Sequence, residues 1–255
     1  MLSDIRALSF DIFGTVVDWR GSVIREGQAL QARLGAALPA VDWAALADAW
    51  RAGYHPAMAS VTRGELPWTN IDGLHRRILD QLLPRFGLAD LPEAERVALN
   101  LAWHRLDPWP DSVAGLTRLR QRHTLCTLSN GNVALLVNMA KRAGLPWDCV
   151  LSAELVGRYK PDLEVYRAAA RLLGHAPAQL MMVAAHPSDL AAAQRAGLRT
   201  AYIRRPLEHG PGSAMEAMNG LQPDLQADSL TELADLLGCA PAAAGLAQPS
   251  AADAA

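Results

Sequence analysis

From Asp111 onward the chain alternates short apolar runs with longer amphipathic ones, and that rhythm leaves few folds open. Strands are expected at 124–128, 149–152, 180–185 and 200–203, with helices between them at 112–122, 133–143, 163–173 and 188–196. Strands that alternate with helices make a parallel sheet with right-handed crossovers. One more buried-strand pattern opens the chain at Ala7-Leu8-Ser9-Phe10 and runs into the polar turn Asp11-Ile12-Phe13-Gly14-Thr15. Placed in the same sheet, it gives an α/β, Rossmann-like parallel-sheet core made of residues 1–17 and 110–238.

Residues 18–109 have a different texture and are expected to be all-helical. Trp43, Leu46, Ala47, Trp50 and Tyr54 recur at helical spacing, as do Leu74, Ile78, Leu82 and Leu83, and again Val97, Leu101 and His104. Pro56, Pro67, Pro84 and Pro92 are expected to separate the pieces. Open α/β sheets bind ligands beyond the C-terminal ends of their strands. A helical domain inserted after the first strand would cover that edge as a cap. Residues 239–255, rich in Ala and Pro, read as a flexible tail.

Composition narrows the partners. Of 255 residues 51% are hydrophobic and 20% charged, enough for a buried core. A net charge of −2 argues against nucleic acid, whose phosphates require a basic face. No run approaches the roughly 18 apolar residues of a membrane span. Asp4 and Arg6 interrupt the place of a signal peptide. Cys126, Cys149 and Cys239 are odd in number, widely spaced and fit a reducing cytoplasm.

If the sheet is right, polar groups gather at its strand ends: Asp11 and Thr15, then Ser129-Asn130, then Lys160, then His186 and Asp189. Singly, each reads equally well as a loop residue or a helix cap. Together they suit covalent catalysis by a carboxylate, with Asp11 as nucleophile. An anionic substrate would repel it, and a nearby ammonium offsets the repulsion. Only two of the 24 basic residues are Lys, Lys141 and Lys160, and Lys160 falls where that ammonium is required. Ser129 and neighbouring backbone N–H groups would hold a substrate oxyanion or carboxylate.

These residues resemble the haloacid dehalogenase superfamily. Asp11-Ile12-Phe13-Gly14-Thr15, Leu128-Ser129-Asn130, Tyr159-Lys160-Pro161 and the run from Val183 to Asp189 match its four motifs in order. Similar phosphatases carry a second Asp two residues after the nucleophile, where this chain has Phe13. They hold Mg²⁺ with a carboxylate where this chain has Ala184. Both departures point to the metal-independent L-2-haloacid dehalogenase branch, with no cofactor. The resemblance implies that Asp11 displaces halide from C2 of a short 2-haloacid and that water then hydrolyses the aspartyl ester to a 2-hydroxy acid. Asp189 would help activate the water, Lys160 would orient both carboxylates, and Thr15 would hydrogen-bond Asp11. Ser129 would bind the substrate carboxylate, while Asn130 and a cap Arg, here Arg51, would cradle the halide. Phe13, Tyr54 and Trp68 are candidate pocket walls, and Tyr166 matches a family tyrosine near the site. His186 stands where the family has Asn and would hydrogen-bond halide, water or Lys160. Ala184 and Ser188 replace a Ser and a Trp, so the cradle is altered, and fluoroacetate enters the candidate range. The expected partners are a halogenated carboxylic acid, water and halide ion, in a homodimer. A Mg²⁺-dependent phosphatase and a non-catalytic binding protein are the alternatives.

Overall fold

The structure, a computed structural model, describes residues 2–240. In chain order the strands and α-helices are β1 (Ala7–Phe10), β2 (Val17–Asp18), α1 (Trp19–Leu34), α2 (Trp43–Thr62), α3 (Ile71–Leu82), α4 (Glu93–Asn100), β3 (Asp107–Pro108), α5 (Ser112–Leu119), β4 (Thr124–Ser129), α6 (Val133–Ala143), β5 (Cys149–Ser152), α7 (Leu163–Leu172), β6 (Leu180–Ala184), α8 (Pro187–Arg195), β7 (Arg199–Ile203), β8 (Leu225–Ala227) and α9 (Leu230–Leu236).

Six strands form one sheet in the order β5-β4-β1-β6-β7-β8, every pair parallel. β1 and β6 are buried throughout, as strands covered on both faces must be, and this is why they read as unbroken apolar runs. β1 lies centrally between β4 and β6, so the connections leave it in opposite directions. That reversal opens the crevice at its C-terminal end. β8, which extends the edge beyond β7, is short and carried no legible signal.

The segment between β2 and β3 contains only helices and 3₁₀ turns. Asp42 starts α2 by accepting the Ala45 N–H at 2.9 Å, and Asn70 starts α3 by accepting that of Gly73 at 3.1 Å. Trp43, Leu46, Trp50 and Tyr54 all face inward from α2. Pro56, expected to end a helix, instead lies inside α2. Its ring frees the Ala52 carbonyl, and both residues are exposed, so that group stays open to solvent. The third expected stripe is also displaced. Val97 and Leu101 are exposed, whereas Leu99, Trp103 and His104 are buried. α4 stops at Asn100 and continues as a 3₁₀ turn over Leu101–Arg105, which rotates the inward face.

Where residues 17–18 and 107–108 join the two parts, they are not helical. β2 and β3 pair antiparallel, Val17 with Pro108 and Asp18 with Asp107. The seam beyond them is polar. Asp72 of α3 accepts from Asn132 at 2.8 Å and pairs with His104 Nε2 at 2.9 Å. Of the expected tail, Cys239 is buried and the Ala240 carbonyl accepts from Arg118, so these two residues pack on the core. The remainder of that segment lies outside the described residues. Among the described residues no helix is long and apolar enough to cross a membrane.

Candidate active site

The ladder of β1 continues one residue past the strand. Asp11 N–H donates to the Val183 carbonyl of β6 at 3.0 Å, which fixes Asp11 at the central crevice. Lys160 lies ahead of α7 and is held by the loop after β4, where Asn130 Oδ1 accepts its N–H at 2.7 Å. Its ammonium, with the side chain 7% exposed, donates to Asp11 Oδ1 at 2.9 Å and Asp189 Oδ2 at 2.6 Å. Thr15 Oγ1 accepts the Ala185 N–H at 2.9 Å and donates to Asp11 Oδ2 at 2.8 Å. Tyr166 donates its hydroxyl to Asp189 Oδ1.

Charge follows from these contacts. Burial alone would raise the Asp11 carboxyl, but Lys160 and His186 outweigh it and hold it far below the ordinary range, fully ionised. Burial likewise opposes the Lys160 ammonium, and Asp11 with Asp189 overcomes it, leaving that pKa raised. Asp189 moves the other way. Burial lifts its pKa first, Asp11 adds to the effect, and Lys160 only partly opposes it. One anionic nucleophile and one more basic carboxylate therefore flank a single lysine. This division of labour suits attack followed by proton transfer.

A cavity of about 280 Å³ opens on this cluster. Asp11, Asn130, Lys160, His186 and Asp189 line it from the sheet side, with Tyr166, and Phe13, Arg51 and Tyr54 complete the wall. Phe13 packs edge-on against Tyr54, ring centroids 6.4 Å apart. The Arg51 guanidinium lies 4.5 Å from the Tyr54 ring centre, and its buried Nη1 has no hydrogen-bond partner among the described residues. An unpartnered buried guanidinium nitrogen in a cavity wall is a ready anion donor.

Two residues expected at the site do not line the cavity. Ser129 is fully buried, and its Oγ accepts the Gly131 N–H at 3.1 Å. It ends β4 and is not among the residues that line the cavity. Trp68 is 39% exposed and packs at a tilt on Tyr159, ring centroids 4.7 Å apart, outside the cavity lining.

Glu208 joins the site without having been among the residues expected from the sequence. His186 Nδ1 lies 3.1 Å from Asp11 Oδ2, and its Nε2 lies 3.0 Å from both Glu208 oxygens. Glu208 sits in the loop after β7, at the same sheet edge as the other site residues, and that position was the available signal. Gly14 makes room for it. A Cβ there would lie 2.1 Å from Glu208 Oε1, and its φ of +83° suits glycine. Burial opposes the His186 imidazolium, yet hydrogen bonds to Asp11 and Glu208 push its pKa up to about 10.

A divalent cation finds no fitting donor set here. Phe13 and buried Ala184 supply no oxygen ligand from their side chains, and the Lys160 ammonium fills the gap between Asp11 and Asp189. Among the described residues no group of three or more His, Cys, Asp or Glu is arranged to hold a metal ion.

Comparison with known proteins agrees with this geometry. The sequence profile of a haloacid dehalogenase-like hydrolase matches residues 5–197. The crystal structure of an L-2-haloacid dehalogenase superposes with a TM-score of 0.87 at 47% identity, covering 92% of this chain and 99% of that one. That of a defluorinating L-2-haloacid dehalogenase gives 0.88 at 41% identity, covering 92% and 96%. The (S)-2-haloacid dehalogenase of Pseudomonas sp. (strain YL) is 28% identical, over 91% of this chain and 94% of the relative. Phosphatases also stand among the curated relatives, at 31% and 29% identity. With a matching profile over most of its length and a carboxylate–lysine–carboxylate cluster at the centre of its sheet, the chain belongs to the haloacid dehalogenase-like hydrolase family.

Proposed function

We propose that this chain hydrolyses short (S)-2-haloacids to 2-hydroxy acids through an ester on Asp11, without a metal ion. The observation that carries this reading is the Lys160 ammonium between Asp11 and Asp189. It neutralises the crevice as a metal ion would, and it leaves Asp11 free to attack carbon. Asp11 displaces halide from C2. Asp189, the more basic carboxylate, takes a proton from the water that opens the ester, a contribution of about 10²–10⁴-fold for a placed base. Thr15 orients Asp11, Tyr166 orients Asp189, and Asn130 fixes Lys160 through its backbone. Arg51, with its unpartnered Nη1, receives the departing halide or the substrate carboxylate, and Phe13 and Tyr54 enclose the carbon skeleton. Residues 18–109 act as the cap over this cavity. A cytoplasmic homodimer belongs to the same reading, and light scattering of the purified chain reports the dimer.

The relatives named as phosphatases support a second reading, phosphoryl transfer. It is disfavoured by Phe13, which cannot protonate a leaving group. The deciding assay follows halide release from chloroacetate, (S)-2-chloropropionate and fluoroacetate in the presence of EDTA, with Asp11→Asn alongside. The expected result is EDTA-resistant halide release that the variant loses, with H₂¹⁸O label appearing first on Asp11 in a single turnover. Phosphate release from an aryl phosphate that EDTA abolishes, with no halide release, would reverse the assignment.

A further inference from the structure

Ester formation and hydrolysis served by Lys160, Thr15 and Asp189 leave the Asp11–His186–Glu208 chain without a task. Glu208 is 5% exposed and also accepts from Trp19 Nε1 at 3.2 Å. Its pKa is held down: burial opposes ionisation, and the His186 hydrogen bond and charge outweigh it. His209 Nε2 lies farther off, 3.8 Å from Glu208 Oε1, so the nearest partners of this buried carboxylate are the His186 imidazole and the Trp19 indole, and burying it is costly unless it serves that imidazole.

The contacts fix the charge of His186. Nδ1 faces the Asp11 carboxylate and Nε2 faces both oxygens of Glu208. Carboxylates accept and do not donate, so each ring nitrogen must carry a proton, and only the imidazolium provides two. An imidazole poised as a base would need a bare nitrogen, and neither position leaves one.

The contacts also distinguish the two oxygens of Asp11. Oδ2 accepts from Thr15 at 2.8 Å and from His186 at 3.1 Å, so both of its in-plane lone pairs are engaged. Among the described residues Oδ1 accepts only from Lys160, at 2.9 Å. Oδ1 therefore keeps a lone pair for carbon, and Oδ2 becomes the carbonyl oxygen of the ester.

We propose that His186, as an imidazolium held by Glu208, is the charged hydrogen-bond donor to the ester carbonyl oxygen Asp11 Oδ2 during hydrolysis, and that Glu208 is its positioning residue. This rests on Asp11 forming an ester. In the first half, an Oδ1 lone pair bonds to C2 and halide leaves with the carbon–halogen pair. In the second, water attacks Cγ and gives a proton to Asp189, and the Cγ=Oδ2 pair moves onto Oδ2. Negative charge grows where the His186 N–H and the Thr15 O–H already point, at distances of the kind that stabilise an oxyanion. Collapse breaks the Cγ–Oδ1 bond. The departing alkoxide recovers the proton from Asp189, and the re-formed Asp11 carboxyl releases one proton to solvent. When Asp11 is esterified its charge is lost, and Glu208 alone keeps His186 protonated for this step.

The charged and titratable groups around His186 are Asp11, Lys160 and Asp189 in the crevice, Arg51, His55 and Asp48 on α2, and Arg205, Glu208, His209 and Glu216 after β7. Of these, only Asp11 and Glu208 are hydrogen-bonded to its ring.

The test separates the two halves of the reaction with (S)-2-chloropropionate. Halide release in a single turnover reports the first half. Intact-protein mass of the adduct and 2-hydroxy acid release report the second. His186→Ala should keep a halide burst stoichiometric with enzyme, accumulate the adduct, and lose about 10²–10³-fold in hydrolysis. His186→Asn, which returns a neutral donor, should recover part of that loss. Glu208→Gln should shift the alkaline fall of hydrolysis to lower pH, a change that a merely structural role would not produce. A His186→Ala burst with no adduct accumulation overturns the proposal and leaves the ester mechanism intact. Hydrolysis that rises with pH through a titration abolished by His186→Asn would make His186 a base and also overturn it. Wild-type protein that gives no halide burst removes the underlying reading instead.

Discussion

Lys160 is the residue whose removal tests the electrostatics of the crevice most directly. In Lys160→Met a nearly dry cation disappears from between two buried carboxylates at 2.9 and 2.6 Å. At an effective dielectric of about 20, each contact corresponds to about 6 kcal/mol of Coulomb attraction. Most of that offsets the cost of burying the ammonium, so the net loss should be about 3–5 kcal/mol, as for other broken buried pairs. For a chain of this size that lowers the melting temperature by roughly 6–20 °C. The pH dependence is more diagnostic. In the wild type, Asp11 is depressed, so its contribution is present above its unfolded pKa of about 3.9 and is lost only as pH falls through its lower folded value. Asp189 is raised by burial and by Asp11, and losing Lys160 raises it further. A carboxyl raised in the folded state loses stability as pH rises toward that folded value. The gap between variant and wild type should therefore widen from about pH 4 upward. Urea denaturation across pH 4.5–8.5 measures it. A gap under about 1 kcal/mol at pH 7, or one that narrows as pH rises, refutes the reasoning.

Two further outcomes are expected from packing. Gly115 of α5 lies against α9 so closely that a Cβ would sit 2.6 Å from the Leu230 backbone carbon, so Gly115→Ala should cost about 1–3 kcal/mol, read as a lower urea midpoint at unchanged slope. Arg205 donates to Asp111 at 2.8 and 2.9 Å and to the Thr15 carbonyl at 2.9 Å, so Asp111→Ala should destabilise by about 3–5 kcal/mol and lower kcat more than Gly115→Ala does, by loosening the turn that carries Thr15.

What could be read from the sequence follows the range of the forces involved. Asp11, Thr15 and Asp189 were legible because they lie just past buried apolar runs, and strand ends are local signals, whereas Lys160, eight residues past β5, stood out as one of only two lysines and as part of a matching motif. The parallel sense of the sheet was legible in the alternation of strands and helices, whereas the order of its strands was not. Val97 and Leu101 were misassigned because a 3₁₀ turn changes the period from 3.6 to 3, and no residue announces the change. Pro56 did not end α2 because its exposed neighbour tolerates a carbonyl left open to solvent. Ser129 belongs to the matched motif, yet it is fully buried and does not line the cavity, and only the packing around it decides that. Glu208 was missed because its partner His186 lies 22 residues away across a loop without periodicity.

The paired segments β2 and β3 carry a consequence for how such a chain can change over time. Chain entry to the helical insert and chain exit from it lie side by side as one antiparallel ribbon. The span the insert must bridge is therefore constant, at about 5 Å between paired Cα atoms, whatever its length. Helices can be lengthened, shortened or replaced there without shifting the register of any strand in the six-stranded sheet. Substrate range can then drift through the insert while the reacting carboxylate stays where β1 leaves it.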